Sequence, residues 1–264
     1  MGLTPPQQEN LSFKEFQKEN MTNIHTLSAA KAAGESLSVD SSPEALEKLK
    51  RNLVYGYRIL ARHGIGVGLL GHLTARLPGA NTFWSYKWGD SFENVTVEGL
   101  RECDFQGNVL AGDGTVNASL KIEGLLYAAR PDVNAITHHH SDNCLALGAI
   151  GQLLQPFERS AARAYEDMVL LQDYDNAHID PQMAKAFVDA LGQRNAVMMQ
   201  HHGIMICGRN VQEVVVVTKE VEISAGVQLK AMAAGPLRLL PHAEAIRARE
   251  HKKTERSYMG VWNY

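Results

Sequence analysis

The 264-residue sequence has few cysteines, a small net charge and no long apolar run. Its three cysteines, Cys103, Cys144 and Cys207, form no C-x-x-C pair, which excludes a disulfide framework and indicates a reducing compartment. The formal net charge is only −3, so no electrostatic feature indicates nucleic acid or an anionic membrane as a partner. No apolar run approaches the ~18 residues that a membrane span needs. We therefore expect a cytoplasmic protein that binds neither nucleic acid nor membrane.

The first 41 residues lack hydrophobic periodicity, and they lack the apolar core of a signal peptide. They are rich in Gln, Glu, Ser, Lys and Ala, a composition typical of mobile segments. We predict a mobile leader over residues 1–41 and a single domain with a C-terminal tail over residues 42–264. Met21 is an alternative to Met1 as the start of the protein.

A glycine-rich stretch at residues 66–71 matches the G-x-G-x-x-G pattern of dinucleotide sites. That fingerprint needs a strand before it and a helix after it. Here an amphipathic helix that begins at Ser42-Pro43 and ends at His63-Gly64 precedes the glycines, and residues 72–77 alternate like a strand. We therefore predict a loop that lines a pocket and no dinucleotide site.

Further along the chain, turn and cap signals mark several elements. A turn within residues 104–110 predicts a hairpin, and a helix from Asn117 ends at Pro131, which cannot continue it. Asn210 with Glu213 three residues later predicts a capping box at the start of a long helix.

Two histidine clusters, each after a short apolar run, are the features most typical of a metal-binding or catalytic site. They are His138-His139-His140 and His201-His202. His138 and His140 are two residues apart, so on an extended backbone their side chains point to the same side and that of His139 points away. Such a pair supplies two nitrogens to one metal ion, and His202 in the second cluster would supply a third. The spacing alone leaves open a site without metal, because H-x-H also occurs in proteins that bind none.

An open metal site also needs a carboxylate, either as a fourth ligand or as a general acid and base. Glu123 is the candidate, because it lies on the predicted helix just before the strand that carries His138. A solvated position for Glu123 on the helix surface is an equally good interpretation of the pattern.

Four motifs together resemble the class II aldolase/adducin family, and within it the adducin-like branch. They are Gly71-His72-Leu73-Thr74-Ala75-Arg76, the segment from Asn117 to Arg130-Pro131-Asp132-Val133, His138-x-His140 and His202-Gly203. The resemblance implies a three-layer α/β/α sandwich with a central, mainly antiparallel sheet. It also implies a homotetramer with its site near a subunit interface, and a metal held by the three histidines: zinc first, with iron(II) or manganese as alternatives.

The chain departs from the family's sugar-phosphate enzymes at two places. Ser119 lies where those enzymes carry a glutamate, and Glu123 follows one helical turn later. Their phosphate-binding loops are small and polar, whereas this chain has His72 and an aromatic stretch at residues 83–88. Aromatic side chains wall a pocket for an apolar or aromatic substrate rather than cradle a phosphate, although plain core packing also explains them.

The first functional hypothesis is a metal-dependent lyase that acts on a small, non-phosphorylated, possibly aromatic oxo- or hydroxy-acid by retro-aldol cleavage or decarboxylation. In it, Glu123 or Tyr165 moves protons. The candidates to contact the substrate are Arg76 or Lys87 for its carboxylate, His72 for its position and Trp84 as an aromatic wall. The second hypothesis is a non-haem iron(II) oxygenase that oxidatively decarboxylates an aromatic oxo- or hydroxy-acid in secondary metabolism. The third is a non-catalytic adducin-like module.

Overall fold

The computed structural model describes residues 42–172 and 181–264, so the predicted leader lies outside the described residues. In the described part of the chain, eight strands form one sheet. The strands are β1 Gly71–Ala75, β2 Thr82–Tyr86, β3 Leu100–Asp104, β4 Val109–Ala111, β5 Ala135–His139, β6 Met168–Leu171, β7 Ala196–Met199 and β8 Gly203–Gly208. Their order in the sheet is β4-β3-β2-β1-β5-β8-β7-β6. Neighbouring strands are antiparallel except for the parallel pair β6 and β7, which confirms a mainly antiparallel sheet.

Helices cover both faces of the sheet. They are α1 Pro43–Arg62, α2 Lys121–Ala129, α3 Asp142–Ala149, α4 Pro181–Leu191, α5 Val211–Ala234, α6 His242–Lys252 and α7 Glu255–Trp262. On one face, α2 and α4 bury Leu126 and Phe187. On the other face, α1, α3 and α5 bury side chains such as Leu53, Leu147 and Val215. The expected three-layer α/β/α sandwich is therefore confirmed. Across residues 42–172 and 181–264, we find no helix with the length and apolar character of a transmembrane segment.

The helix α1 begins and ends where the sequence predicts. The hydroxyl of Ser42 accepts a hydrogen bond from the N–H of Ala45 at 3.2 Å, and proline occupies the first turn. The helix is capped at its C-terminus by His63, and the next residue, Gly64, adopts a positive φ of 72°. The buried hydroxyl of Tyr57 donates to the carbonyl of Leu73, which ties α1 to the middle of β1.

The long helix α5 also begins as predicted, but only half of the capping box forms. The side chain of Asn210 accepts from the N–H of Glu213 at 2.9 Å. The carboxylate of Glu213 accepts from the N–H of Arg209 instead of that of Asn210. The C-terminal tail is helical and packs back on this point, since the amide of Asn210 donates to the hydroxyl of Tyr258 on α7 at 3.0 Å.

Two helical glycines provide a matched test of how closely α2 packs. A Cβ at Gly124 would overlap the carbonyl of Phe105, in the turn between β3 and β4, whereas a Cβ at Gly260 on α7 would meet nothing within 4 Å. We expect Gly124→Ala to lower the free energy of unfolding by roughly 1–3 kcal/mol, because backbone must move. Gly260→Ala should raise it by roughly 0.5–1 kcal/mol, because alanine restricts the unfolded chain. Urea unfolding measures both, and an equal effect of the two changes would contradict the packing argument.

Candidate metal centre

The strand β5 lies between β1 and β8, and it holds the first histidine of the candidate centre. His138 pairs with His72 on β1 and with Met205 on β8. Its Nδ1 lies 3.1 Å from the carbonyl oxygen of Ile204. A carbonyl only accepts, so Nδ1 carries the proton and Nε2 keeps its lone pair. This is the tautomer and the supporting contact typical of a histidine that binds metal.

The other two histidines converge on the same point from outside the strands. His140 directly follows β5, and His202 lies in the turn between β7 and β8. The Nε2 atom of His138 lies 2.9 Å from that of His140 and 3.2 Å from that of His202. A tetrahedral ion about 2.0–2.1 Å from each nitrogen separates them by roughly 3.3 Å. The three imidazoles therefore fit a divalent cation such as zinc or iron(II), although they do not discriminate between them.

Burial keeps these imidazoles neutral. It is the main cause that lowers the pKa of His138 well below its usual value, with the neighbouring His72 and His202 adding to it. The pKa of His202 falls to about 4, first through burial and then through His140. Burial, followed by the influence of His72, also lowers the pKa of His140. At neutral pH the ring nitrogens are thus available as ligands.

Two glycines on the flanking strands leave room for the backbone of β5 and for the histidine rings. A Cβ at Gly203 would lie 2.9 Å from the ring of His140, and one at Gly71 would lie 2.6 Å from the carbonyl of His138. Gly71 also has a φ of +143°, which side chains rarely adopt. His139 lies outside the cavity described next and is buried, with an electrostatic interaction with Glu222 on α5.

The histidines open into a cavity of about 240 Å³. Leu69 and Leu70 of the glycine-rich loop form part of its wall, as expected from the sequence. Leu69 has a positive φ of 65°, which is uncommon outside glycine and indicates a constrained loop. Trp88 lies in the wall with 42% of its surface exposed.

A buried carboxylate and a buried imidazole line this cavity together with the three histidines. Glu123 and His72 are 0% and 1% exposed, and Oε1 of Glu123 is hydrogen-bonded to Nε2 of His72. Glu123 is thus not on a solvated helix surface. Within residues 42–172 and 181–264, neither Oε2 of Glu123 nor Nδ1 of His72 has a hydrogen-bond partner. Ser119, one turn earlier, also lines the cavity, and its hydroxyl donates to Asn117 at 2.8 Å.

Arg76 and Trp84 do not reach the cavity. Arg76 is 4% exposed, and its guanidinium donates to the carbonyls of Val133 and Arg130, both at 3.0 Å. With its donors used by backbone, it is a structural residue rather than a carboxylate clamp. Trp84 packs in the core under α1, with the ammonium of Lys50 3.7 Å from the ring centroid.

Lys87 and Tyr165 also lie outside the cavity wall of their own chain. The ammonium of Lys87 lies 3.1 Å from the carboxylate of Asp113, which is exposed. The hydroxyl of Tyr165 lies 3.1 Å from Nδ1 of His242 on α6. Neither residue is placed to act on a molecule bound beside His138 in the same chain.

Several residues of the cavity wall were not predicted from the sequence. They are Asn117, Ile122, Met199 and Met205, together with Trp88 as the aromatic residue that takes the place expected for Trp84. Alternation along the strands could have placed the two methionines on the side of the sheet that carries the cavity. Met199 is the last residue of β7, and Met205 pairs with His138. Trp88 lies just beyond β2, where alternation no longer applies.

Comparisons with known proteins agree with this geometry. The model of the family Class II Aldolase and Adducin N-terminal domain matches residues 51–229. The 4-hydroxy-3-prenylphenylpyruvate oxygenase/4-hydroxy-3-prenylbenzoate synthase of Streptomyces roseochromogenus subsp. oscitans is 27% identical over 212 residues, covering 79% of this chain and 76% of that protein. The 3,4-dihydroxyphthalate decarboxylase of Arthrobacter keyseri is 26% identical over 200 residues, covering 71% and 80%.

Among solved structures, the L-fuculose 1-phosphate aldolase from Glaciozyma antarctica PI12 superposes with a TM-score of 0.73 at 29% identity, covering 81% of this chain and 88% of that one. The relatives thus include proteins named as aldolase, decarboxylase and oxygenase. Assignment to the adducin-like branch stays a prediction, because the matching model describes the family as a whole. Since that model covers more than half of the chain and includes all three histidines, the protein belongs to the class II aldolase and adducin family.

Proposed function

We propose that the protein is a metal-dependent lyase that cleaves or decarboxylates a small, non-phosphorylated oxo- or hydroxy-acid. The observation that supports it is the convergence of three imidazoles on a cavity whose wall also holds a buried carboxylate. His138, His140 and His202 would hold the cation, with zinc as the first expectation and iron(II) or manganese as alternatives. When bound, the cation supplies a Lewis acid that stabilises negative charge developing on the substrate's carbonyl oxygen.

Glu123 is the proposed proton-transfer group. In a retro-aldol cleavage, its carboxylate takes the proton of the substrate hydroxyl as the carbon–carbon bond breaks, and it returns that proton to the carbon that lost its bond. In a decarboxylation, protonated Glu123 gives its proton to the carbon that CO₂ leaves. His72 holds one carboxylate oxygen, and Oε2 is left without a partner among the described residues.

The wall of the cavity supports a substrate without phosphate. None of the described residues that line it is a lysine or an arginine, and Leu69, Leu70 and Trp88 make much of it apolar. A phosphate dianion is typically held by lysine or arginine side chains or by backbone N–H groups, and the described wall offers no such side chain. A single carboxylate beside the proposed cation needs no further positive charge.

The proposed assembly is a homotetramer, in line with the family resemblance. Leu70 is 53% exposed beside the cavity, and Val67 in the same loop is also exposed. Apolar side chains exposed at one place are typical of contact with a neighbouring subunit.

An oxygenase is the second candidate function, and the position of Trp88 favours it. An indole in the cavity wall suits an aromatic acid, and the similar Streptomyces protein is named as an oxygenase of a phenylpyruvate. A non-catalytic module, the third hypothesis, is opposed by the complete set of three converging histidines.

Metal analysis joined to an oxygen test separates these functions. We expect protein purified without added metal to hold close to one zinc per chain, and a panel of oxo- and hydroxy-acids to be turned over equally well under strict anaerobiosis. A chelator should abolish turnover, and added zinc should restore it. Bound iron with turnover only in oxygen would favour the oxygenase, and protein that binds no metal would favour the non-catalytic module.

A further inference from the structure

His140 lies just beyond the end of its strand. The ladders of β5 with β1 and with β8 both end at His139, so the backbone of His140 pairs with neither strand. His138 lies inside both ladders, and the carbonyl of Ile204 holds its ring as well. The position of His140 therefore depends on the chain that follows it, which is Ser141 and the first turn of α3.

The carboxylate of Glu222, on α5, holds that first turn. Its Oε1 accepts from the backbone N–H of Asn143 at 3.0 Å and from the side-chain amide of Asn143 at 2.7 Å. Its Oε2 accepts from the hydroxyl of Ser141 and from the N–H of Cys144 at 3.1 Å. The first N–H groups of a helix have no partner within it, and the side chain of Ser141 does not cap them. Glu222 takes over this function from a neighbouring helix, and we name these contacts the Glu222 clamp.

The Glu222 clamp is both buried and closely fitted. Glu222 is only 9% exposed. One turn later, a Cβ at Gly226 would lie 2.8 Å from Nδ2 and 3.0 Å from Oδ1 of Asn143, so glycine leaves the space that this side chain occupies. Burial by itself would raise the pKa of Glu222, but the hydrogen bonds from Ser141, Asn143 and Cys144 outweigh it and lower the pKa. The clamp therefore holds a charged carboxylate against the positive end of α3.

We infer that Glu222 is a positioning residue of the metal centre, because its clamp on residues 141–144 sets the place of the His140 ring relative to His138 and His202. This inference rests on the proposed cation at the three histidines. Contacts outside the ligands themselves orient the ligands, and their loss typically weakens metal binding roughly 10- to 100-fold. Glu222 touches no ligand ring, so it acts through the backbone that carries His140.

Cobalt(II) binding to the full chain tests the inference without any substrate. The visible absorption of bound cobalt reports the ligand geometry, and competition with a chromophoric chelator measures the affinity. In Glu222→Gln, the new amide places a donor opposite at least one N–H of the clamp. We expect roughly 10- to 100-fold weaker cobalt binding and a changed visible spectrum.

The matched control is Glu220→Gln on the same helix. Glu220 is also largely buried and accepts from Arg163 and Lys252, both away from the metal centre. The Glu220→Gln variant should be less stable than the unaltered protein but should keep its cobalt affinity and its visible spectrum. Equal weakening in both variants, or none in Glu222→Gln, would overturn the inference.

Two further measurements keep the outcomes distinct. If Glu222→Gln does not fold, Asn143→Ala removes one of the four hydrogen bonds to the Glu222 carboxylate, the one from the side-chain amide, and should still weaken cobalt binding. An unchanged affinity would then overturn the inference. Failure of the unaltered protein to bind cobalt would instead refute the proposed metal centre, and the inference with it.

Discussion

Replacing His138 with alanine is expected to abolish binding of a divalent cation. Its Nε2 lies 2.9 Å from that of His140 and 3.2 Å from that of His202, and it is the ligand held most firmly by the sheet. Removing it leaves only two imidazoles to hold the ion. The loss in affinity should exceed the roughly 10- to 100-fold that removal of a supporting contact costs. Chelator competition and elemental analysis of the purified variant measure it.

His201 provides the control for this change. It directly precedes His202, but its side chain is exposed and its φ is +62°. Asparagine tolerates that backbone conformation, so His201→Asn should leave the turn and the bound metal intact. Stoichiometric metal in His138→Ala would contradict the candidate metal centre, as would equal loss in the two variants.

Replacing Glu123 with glutamine is expected to remove turnover while the metal stays bound. Glutamine keeps the shape of the side chain and a hydrogen bond to His72, but it cannot take up or release a proton in the reaction. A positioned acid or base contributes typically 10²–10⁴-fold, so turnover should fall by about that factor. Exchange of the methyl hydrogens of pyruvate for deuterium, followed by NMR in heavy water, reports proton transfer next to a carbonyl without the natural substrate.

The control for Glu123 is another carboxylate outside the cavity. Glu102 on β3 accepts from the hydroxyl of Thr82 at 2.8 Å, and Glu102→Gln should exchange pyruvate hydrogens as fast as the unaltered protein. Metal content and thermal unfolding of both variants show whether slower exchange comes from lost proton transfer or from lost metal or lost folding. Undiminished exchange in folded, metal-loaded Glu123→Gln would assign proton transfer to another group.

Among the expectations that the structure confirms, the helix caps and the direction of the histidine side chains depend on neighbours along the chain. The caps at Ser42 and Asn210 and the end of α1 at His63 follow from hydrogen bonds within a few residues. The same holds for the shared direction of His138 and His140, because alternation on a strand is a local property of the backbone. Such features can be predicted from the sequence with no knowledge of the fold.

Of the four residues expected to contact the substrate, only His72 lines the cavity. The physical reason is that the other positions depend on contacts between distant parts of the chain. Arg76 lies in a motif of the family, but whether its guanidinium meets a ligand or a carbonyl depends on where residues 130–133 pass. Trp84 and Trp88 belong to one aromatic stretch, and only the packing of α1 against β2 decides that Trp84 is core and Trp88 is cavity wall. Tyr165 is hydrogen-bonded to His242 on α6. That helix belongs to the C-terminal tail, for which the sequence predicted no packing.

By itself, the sequence determined the helix caps, the shared side of His138 and His140 and the family motifs, because these depend on residue types that lie close together along the chain. The layered sheet followed from the family resemblance that those motifs carry. Only the tertiary structure decided which groups share the cavity. Glu123 and His72 are 51 residues apart, and Glu222 acts on Ser141 from 81 residues away. Contacts of that range depend on how helices cross the sheet, which follows from the packing of the whole core and not from any single stretch of sequence.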